Sequence, residues 1–389
     1  MDSSMWHEYC VSADPVEPEL LALRQWRKLT DSERRTRARQ LSRWLARMYL
    51  RTPELDKIDA WLTELVNDNN DGSLGAKQIA AIDGVNFAGK STFLMRWGRG
   101  FYVSSVADAE TDRRGRPVSH TVPGIEEDIS PLVWTNLPSR SKQVSVDSTN
   151  LNYFDLSIDG RGIEVTFRAI KTLKRHGARV VIMDDIHFLK TARAADAQEV
   201  KDHIKHVATE IGNFGATLVI AGANLGDVDL VADPQIRGRL ESRTIPIYAA
   251  ESEAEQRQWQ VIIRDYETAL LPHLPAGKPG MLFTKLAGEL AYRTQGYLGD
   301  LRTLVRKAAV AATLDGSHAI RRAHIDAVTL GDRAEADKTI SPTHASRPKS
   351  TPMKGAKSSG SQRLSKSAVR ARKATPRRGQ PSHLRVVDP

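Results

Sequence analysis

Gly84-Val85-Asn86-Phe87-Ala88-Gly89-Lys90-Ser91-Thr92 fits the pattern G-x-x-x-x-G-K-[ST]. In such a loop the glycines let backbone N–H groups close around a polyphosphate. The setting matters as much as the pattern. Gln78-Ile79-Ala80-Ala81-Ile82 is a short apolar run that reads as a buried strand, and Lys90 to Trp97 reads as a helix. The positive N-terminal end of that helix faces the same anion. Lys90 then reaches the β/γ-phosphates, and the Ser91 hydroxyl is placed to ligate Mg²⁺. A bound nucleoside triphosphate is the expectation.

A triphosphate site needs a second part, and Val180-Val181-Ile182-Met183-Asp184-Asp185 supplies it. Four apolar residues predict a central parallel strand, and ligands of open α/β sheets sit at the C-terminal ends of such strands. Asp184 is assigned to the magnesium shell and Asp185 to orienting the attacking water.

The bulk properties narrow the class. Cys10 is the only cysteine of the 389 residues, so an intrachain disulfide is excluded and a reducing cytoplasm is expected. No apolar run approaches the roughly 18 residues that span a bilayer, so no membrane partner is expected. The formal charge is +10, and residues 341–389 alone hold twelve Lys/Arg against one Asp. The basic character therefore belongs to the tail, and the preceding 340 residues sum to −1.

Four regions are predicted: an N-terminal helical segment (1–66), a nucleotide-binding α/β domain (67–248), a helical lid (249–335) and a disordered basic tail (336–389). In the first, Thr30 with Glu33 reads as a capping box opening a helix through Arg51, and Thr52-Pro53-Glu54 opens a second to about Val66. The arginines of 34–51 read either as a DNA contact or, favoured by the interleaved Glu and Asp, as a solvated face. Residues 67–76 read as a turn-rich connector and 104–129 as a polar surface insertion. Residues 131–137 predict a strand, followed by a loop bearing Arg140 and Lys142. Tyr153 to Ile158 reads as a short strand, 162–176 and 196–213 as helices, and 216–221 as a buried strand. Strands alternating with helices imply a parallel sheet covered on both faces. Asn224, just past the last of these strands, is read either as polarising the attacking water or as a turn residue. Arg237-Gly238-Arg239-Leu240-Glu241-Ser242-Arg243 precedes a predicted strand, Thr244 to Tyr248. Helices are expected at 251–271, 283–294, 299–314 and 321–330.

In this order the motifs resemble the AAA+ ATPases: phosphate loop, acidic strand end, polar residue after the next strand, R-L-x-S-R, and then Gly299-Asp300-Leu301-Arg302 in a helical lid. Asp184-Asp185-Ile186-His187-Phe188-Leu189 and Arg239-Leu240-Glu241-Ser242-Arg243 are similar to the initiator clade, which includes DnaA. Finer features resemble the TniB/TnsC transposition ATPases, relatives of MuB. These are Asp265-Tyr266-Glu267-Thr268-Ala269-Leu270-Leu271-Pro272 and Gln295-Gly296-Tyr297-Leu298-Gly299-Asp300-Leu301. The resemblance covers roughly 52–332. It implies a parallel sheet sandwiched by helices, a P-loop NTPase with a C-terminal lid.

By resemblance, Asn224 takes the first sensor position, Arg243 the arginine finger with Arg239 as competitor, and Arg302 the second sensor. A finger supplied by a neighbouring copy couples hydrolysis to assembly, and such fingers are worth about 10³–10⁵ in rate in other NTPases. Where many AAA+ proteins carry Asp-Glu, this chain has Asp184-Asp185, and slow turnover is expected. The family touches DNA through ring-lining loops, which places Arg140 and Lys142 as sequence-neutral backbone contacts. The implied function is an ATP- and Mg²⁺-dependent, DNA-binding regulator of transposition. Its copies form a ring or filament and recruit a DDE-type transposase. The alternatives are a replication initiator or helicase loader, and a nucleotide-binding scaffold without turnover. The chain has no N-K-x-D guanine-reading motif, which argues against a GTP switch.

Overall fold

The computed structural model describes residues 1–122, 125–136, 143–160, 162–186, 194–227 and 234–340. Its strands in chain order are β1 (Ile79–Asp83), β2 (Glu110–Thr111), β3 (Pro117–Val122), β4 (Ile125–Asp128), β5 (Leu132–Asn136), β6 (Val180–Asp184), β7 (Thr217–Ala221) and β8 (Leu240–Thr244). Five of them form one sheet in the order β5-β6-β7-β1-β8, with every pairing parallel. Strands β6 and β7 are buried at every position, as continuous apolar runs such as Val180-Val181-Ile182-Met183 require when helices cover both faces. The register pairs Asn136 with Asp184 and Ile82 with both Ala221 and Arg243, so the C-terminal strand ends share one edge. This is the expected α/β P-loop fold.

Helices differ from expectation chiefly in length. The Thr30–Glu33 capping box is present and opens Asp31–Arg47, which stops short of Arg51. Pro53 forces Thr52 into an extended conformation, and the next helix, Pro53–Asp71, runs past Val66 into the predicted connector. The phosphate-loop helix extends from Lys90 to Ser105. Within 104–129 the chain forms a small antiparallel sheet, β2-β3-β4, rather than featureless surface.

Two strand expectations are corrected. Tyr153 to Ile158 is not a strand, because Gln143–Tyr153 is a helix followed by a turn closed by Leu156 N–H donating to Leu151 O at 3.1 Å. Tertiary bonds hold this helix: buried Asp147 accepts from Thr166 Oγ1 at 2.7 Å and faces His203 Nε2 at 2.8 Å, and Tyr153 donates to Leu132 O at 2.8 Å. The last strand is Leu240–Thr244 rather than Thr244 to Tyr248. The polar Leu-Glu-Ser-Arg-Thr run pairs residue for residue with β1 as an exposed edge, while Ile245 and Tyr248 are buried beyond it.

Two large apolar cores are present among the described residues. One surrounds the sheet, and the other gathers the C-terminal helices Glu253–Leu270, Ala287–Thr294 and Leu298–Leu314. The N-terminal segment threads both. Trp6 is fully buried against Trp134 in the sheet core, with ring centroids 5.9 Å apart. Trp26 lies on His318 at 4.8 Å, and Leu41 and Leu45 belong to the second core. Leu55 to Val66 then return to the sheet core. A final helix spans Asp332–Ile340. The tail expected to be disordered lies, from residue 341, outside the described residues.

Candidate functional site

The phosphate loop leaves β1 through Gly84 at φ 147°, turns at Phe87 (φ 67°) and enters its helix through Gly89 (φ 105°). Gly84 is required twice over: its backbone angle is left-handed, and an added Cβ would sit 3.0 Å from the Ile245 carbonyl. Lys90 is buried, and its Nζ donates to Gly84 O at 2.9 Å and Val85 O at 3.0 Å, holding the ammonium inside the loop. Burial lowers its pKa, while the charges of Asp184, Asp83 and Asp185 act in the opposite direction.

The two separated motifs meet. Ser91 Oγ donates to Asp184 Oδ2 at 2.6 Å, across the space between the phosphate-loop helix and the end of β6. Asp184 is 4% exposed, and desolvation raises its pKa against the lowering effects of Ser91, the Asp185 N–H and Lys90. Asp185 N–H donates to Asp184 Oδ1 at 2.9 Å, and Asp185 has φ 61°. Asn224, at φ 51°, is exposed just past β7. Left-handed backbone at Phe87, Asp185 and Asn224 concentrates strain at this rim, as functional sites often do.

Sequence reasoning missed Asp83. Its Oδ1 accepts the Gly84 N–H at 2.7 Å and the Leu225 N–H at 3.0 Å, pinning the phosphate loop to the turn that carries Asn224. The available signal was an acid at the end of the strand immediately before the loop.

Beside the loop lies a cavity of about 110 Å³ lined by Tyr49, Leu50, Phe87, Thr92, Leu298 and Arg302, among others. Arg302, on the helix Leu298–Leu314, is thus brought to the phosphate loop. Arg243 is not. It is exposed on β8, with its guanidinium 4.7 Å from the Trp61 ring centre and Nη1 donating to Ser242 O at 2.9 Å. Trp61 Nε1 donates to Glu241 Oε2 at 2.9 Å, so the same strand fixes the ring. Arg239 lies at the other end: its carbonyl accepts from Ile79 N–H, at the start of β1. Arg140, Lys142, and His187 to Leu189 lie outside the described residues.

The residues present suit a magnesium-bound triphosphate. The left-handed glycines shape a backbone cradle, and a hydroxyl with a carboxylate is a hard-oxygen pair of the kind Mg²⁺ takes alongside phosphates and water. Among the described residues no cluster of three His, Cys, Asp or Glu forms a self-sufficient metal cage, and no helix is long and apolar enough to cross a membrane.

Residues 109–250 match the family described as Bacterial TniB protein, so the resemblance to that group holds over this stretch. No curated protein matches the chain. Similar solved structures include the Aeropyrum pernix ORC1 protein in complex with DNA, 17% identical, covering 76% of this chain and 68% of that one at TM-score 0.49. The Aeropyrum pernix ORC2 protein is 11% identical over 72% and 69%, at TM-score 0.47. Cdc6p from Pyrobaculum aerophilum is 15% identical over 71% and 67%, at TM-score 0.46.

Proposed function

We propose that this chain, similar to the TniB family over residues 109–250, is an ATP-dependent, DNA-binding AAA+ regulator of transposition. ATP-bound copies assemble on target DNA and engage a DDE-type transposase, and hydrolysis takes the assembly apart. The observation that carries the ATPase reading is the Ser91–Asp184 hydrogen bond of 2.6 Å beside the buried Lys90 ammonium. The transposition reading is supported by the TniB match over residues 109–250.

Each residue has a defined task. The loop N–H groups and Lys90 bind the phosphates. Ser91 and Asp184 would hold Mg²⁺, which supplies neutralisation of phosphate charge. Asp185 and Asn224 flank the position from which water attacks and orient it. Arg302 reaches the nucleotide from the lid. Arg243, presented outward on the edge strand, serves the site of an adjoining copy, so turnover waits on assembly. The basic tail adds sequence-neutral affinity for DNA.

ATP hydrolysis by wild type and Lys90→Ala, each with and without duplex DNA, tests the reading. DNA-stimulated turnover in wild type and a loss of about 10²-fold or more in the variant are expected. Equal rates in all four samples would remove the enzyme assignment. Electron microscopy of the protein with ATP, with and without duplex, checks for assembly.

A further inference from the structure

The near-neutral sum of the first 340 residues conceals a folded basic face. Between Arg24 and Arg47 the chain carries nine Lys/Arg against Asp31 and Glu33. Both acids are spent at the helix start. Glu33 accepts from Thr30 N–H at 2.7 Å and Thr30 Oγ1 at 2.8 Å, and Asp31 pairs with Arg34 at 3.4 Å. Arg37 is taken by Glu19 at 2.8 Å. Of the seven that remain, Arg35, Arg39 and Arg43 lie within the body of the helix, all exposed and without a partner among the described residues.

These three fall at i, i+4 and i+8 of one helix, so they form a single stripe rising about 6 Å per step. The opposite side of the helix is fixed: Ala38, Leu41 and Leu45 are buried, the latter two in the second core. The stripe is therefore held outward on a packed element. Trp26 and Trp44 turn inward onto His318 and His273, leaving no stacking platform of the sort single strands use.

We propose that the Arg35–Arg39–Arg43 stripe is a binding site for the phosphate backbone of duplex DNA, separate from the tail and from the loop bearing Arg140 and Lys142. The proposal rests on the DNA-binding reading and adds where the folded body grips. A helix carrying three unneutralised guanidiniums in line suits sequence-neutral contact with successive phosphates. A neighbouring groove of about 570 Å³, bordered by Arg35, Arg39, Val310 and Leu314, offers a competing occupant, an acidic protein segment.

Binding of the full chain to a fluorescein-labelled 30-base-pair duplex, followed by anisotropy across a KCl series, tests the site. The variant Arg35→Ala/Arg39→Ala/Arg43→Ala should reduce the log–log salt slope by about 2–3, at roughly 0.9 per lost phosphate contact. The Lys triple variant should restore most of it. Arg39→Ala alone should lower the slope by about 0.9, which keeps the test available if the triple variant folds poorly. A wild type that binds with a slope unchanged in the variants overturns the stripe alone, and is the result expected of a groove for acidic protein. A wild type that does not bind duplex at all overturns the DNA reading and the stripe with it.

Discussion

The Asp83 carboxylate accepts the Leu225 backbone N–H at 3.0 Å, joining the end of β1 to the turn after β7 across neighbouring strands. Because the same oxygen also receives the Gly84 N–H, the phosphate loop and the Asn224 turn are set by one atom. Asp83→Ala leaves both donors without this acceptor, at a cost of about 1–3 kcal/mol. The thermal midpoint should fall and the ATP dissociation constant should rise together. Asp83→Asn, which keeps Oδ1, should recover most of both; isothermal titration and melting curves provide the check.

Asp184 is held at a cost to the nucleotide-free protein. Burial raises its pKa above the ordinary value of 3.8, so the folded state keeps a proton that the unfolded chain releases. Stability from this group is present below 3.8 and lost as pH rises through the raised value. Above that window the buried charge is a standing penalty. Asp184→Asn should therefore melt higher than wild type at pH 7.5 without nucleotide, with the gap closing as pH falls through the window. Its ATPase rate should drop by about 10²-fold or more. An Asn variant that melts lower at pH 7.5 contradicts the assignment.

Arg239 and Arg243 lie four positions apart on one chain, roughly 13 Å at strand rise, toward opposite edges of the sheet. Only Arg243 is level with the end of β1 from which the phosphate loop departs. Arg243→Ala should keep nucleotide affinity and lose DNA-stimulated hydrolysis by about 10³-fold or more, while Arg239→Ala should retain it. Trp61 fluorescence should change in the first variant, because the guanidinium stacks on that ring. Matched turnover by both variants would defeat the distinction.

Phe87 is 74% exposed and adopts φ 67° in the loop. Glycine takes that angle freely, so Phe87→Gly should stabilise the nucleotide-free protein by up to about 1 kcal/mol. The same change removes one wall of the cavity shared with Tyr49 and Arg302, and ATP affinity should weaken. Stability and affinity moving in the same direction would contradict this reading of the strained aromatic.

What could be read from the chain was what local chemistry dictates. The phosphate loop, the buried run ending in Asp184, and the Thr30 and Thr52 caps all carry their reasons within a few residues. Gln143–Tyr153 was opaque because Val, Ser, Asp, Thr and Asn are weak helix formers, and Thr166 and His203, far along the chain, hold it. The edge strand Leu240–Thr244 lacks the apolar alternation that signals a strand; its register comes from β1. Asp83 was hidden because its role depends on Leu225, 142 residues away. The arginines of 34–51 are visible in the chain as a DNA contact or a solvated face, and what separates the two readings is the engagement of Asp31 and Glu33 at the helix start.

The N-terminus is sewn into two cores, with Trp6 seated in the sheet core and Trp26 against His318. Residues 12–22 between these anchors form neither helix nor strand. A second, shorter crossing follows at residues 48–52, where Asp31–Arg47 of one core hands over to Pro53–Asp71 of the other. The segment therefore staples the two cores together twice, and a protease cut within 12–22 removes one staple while the five-residue crossing still holds the other.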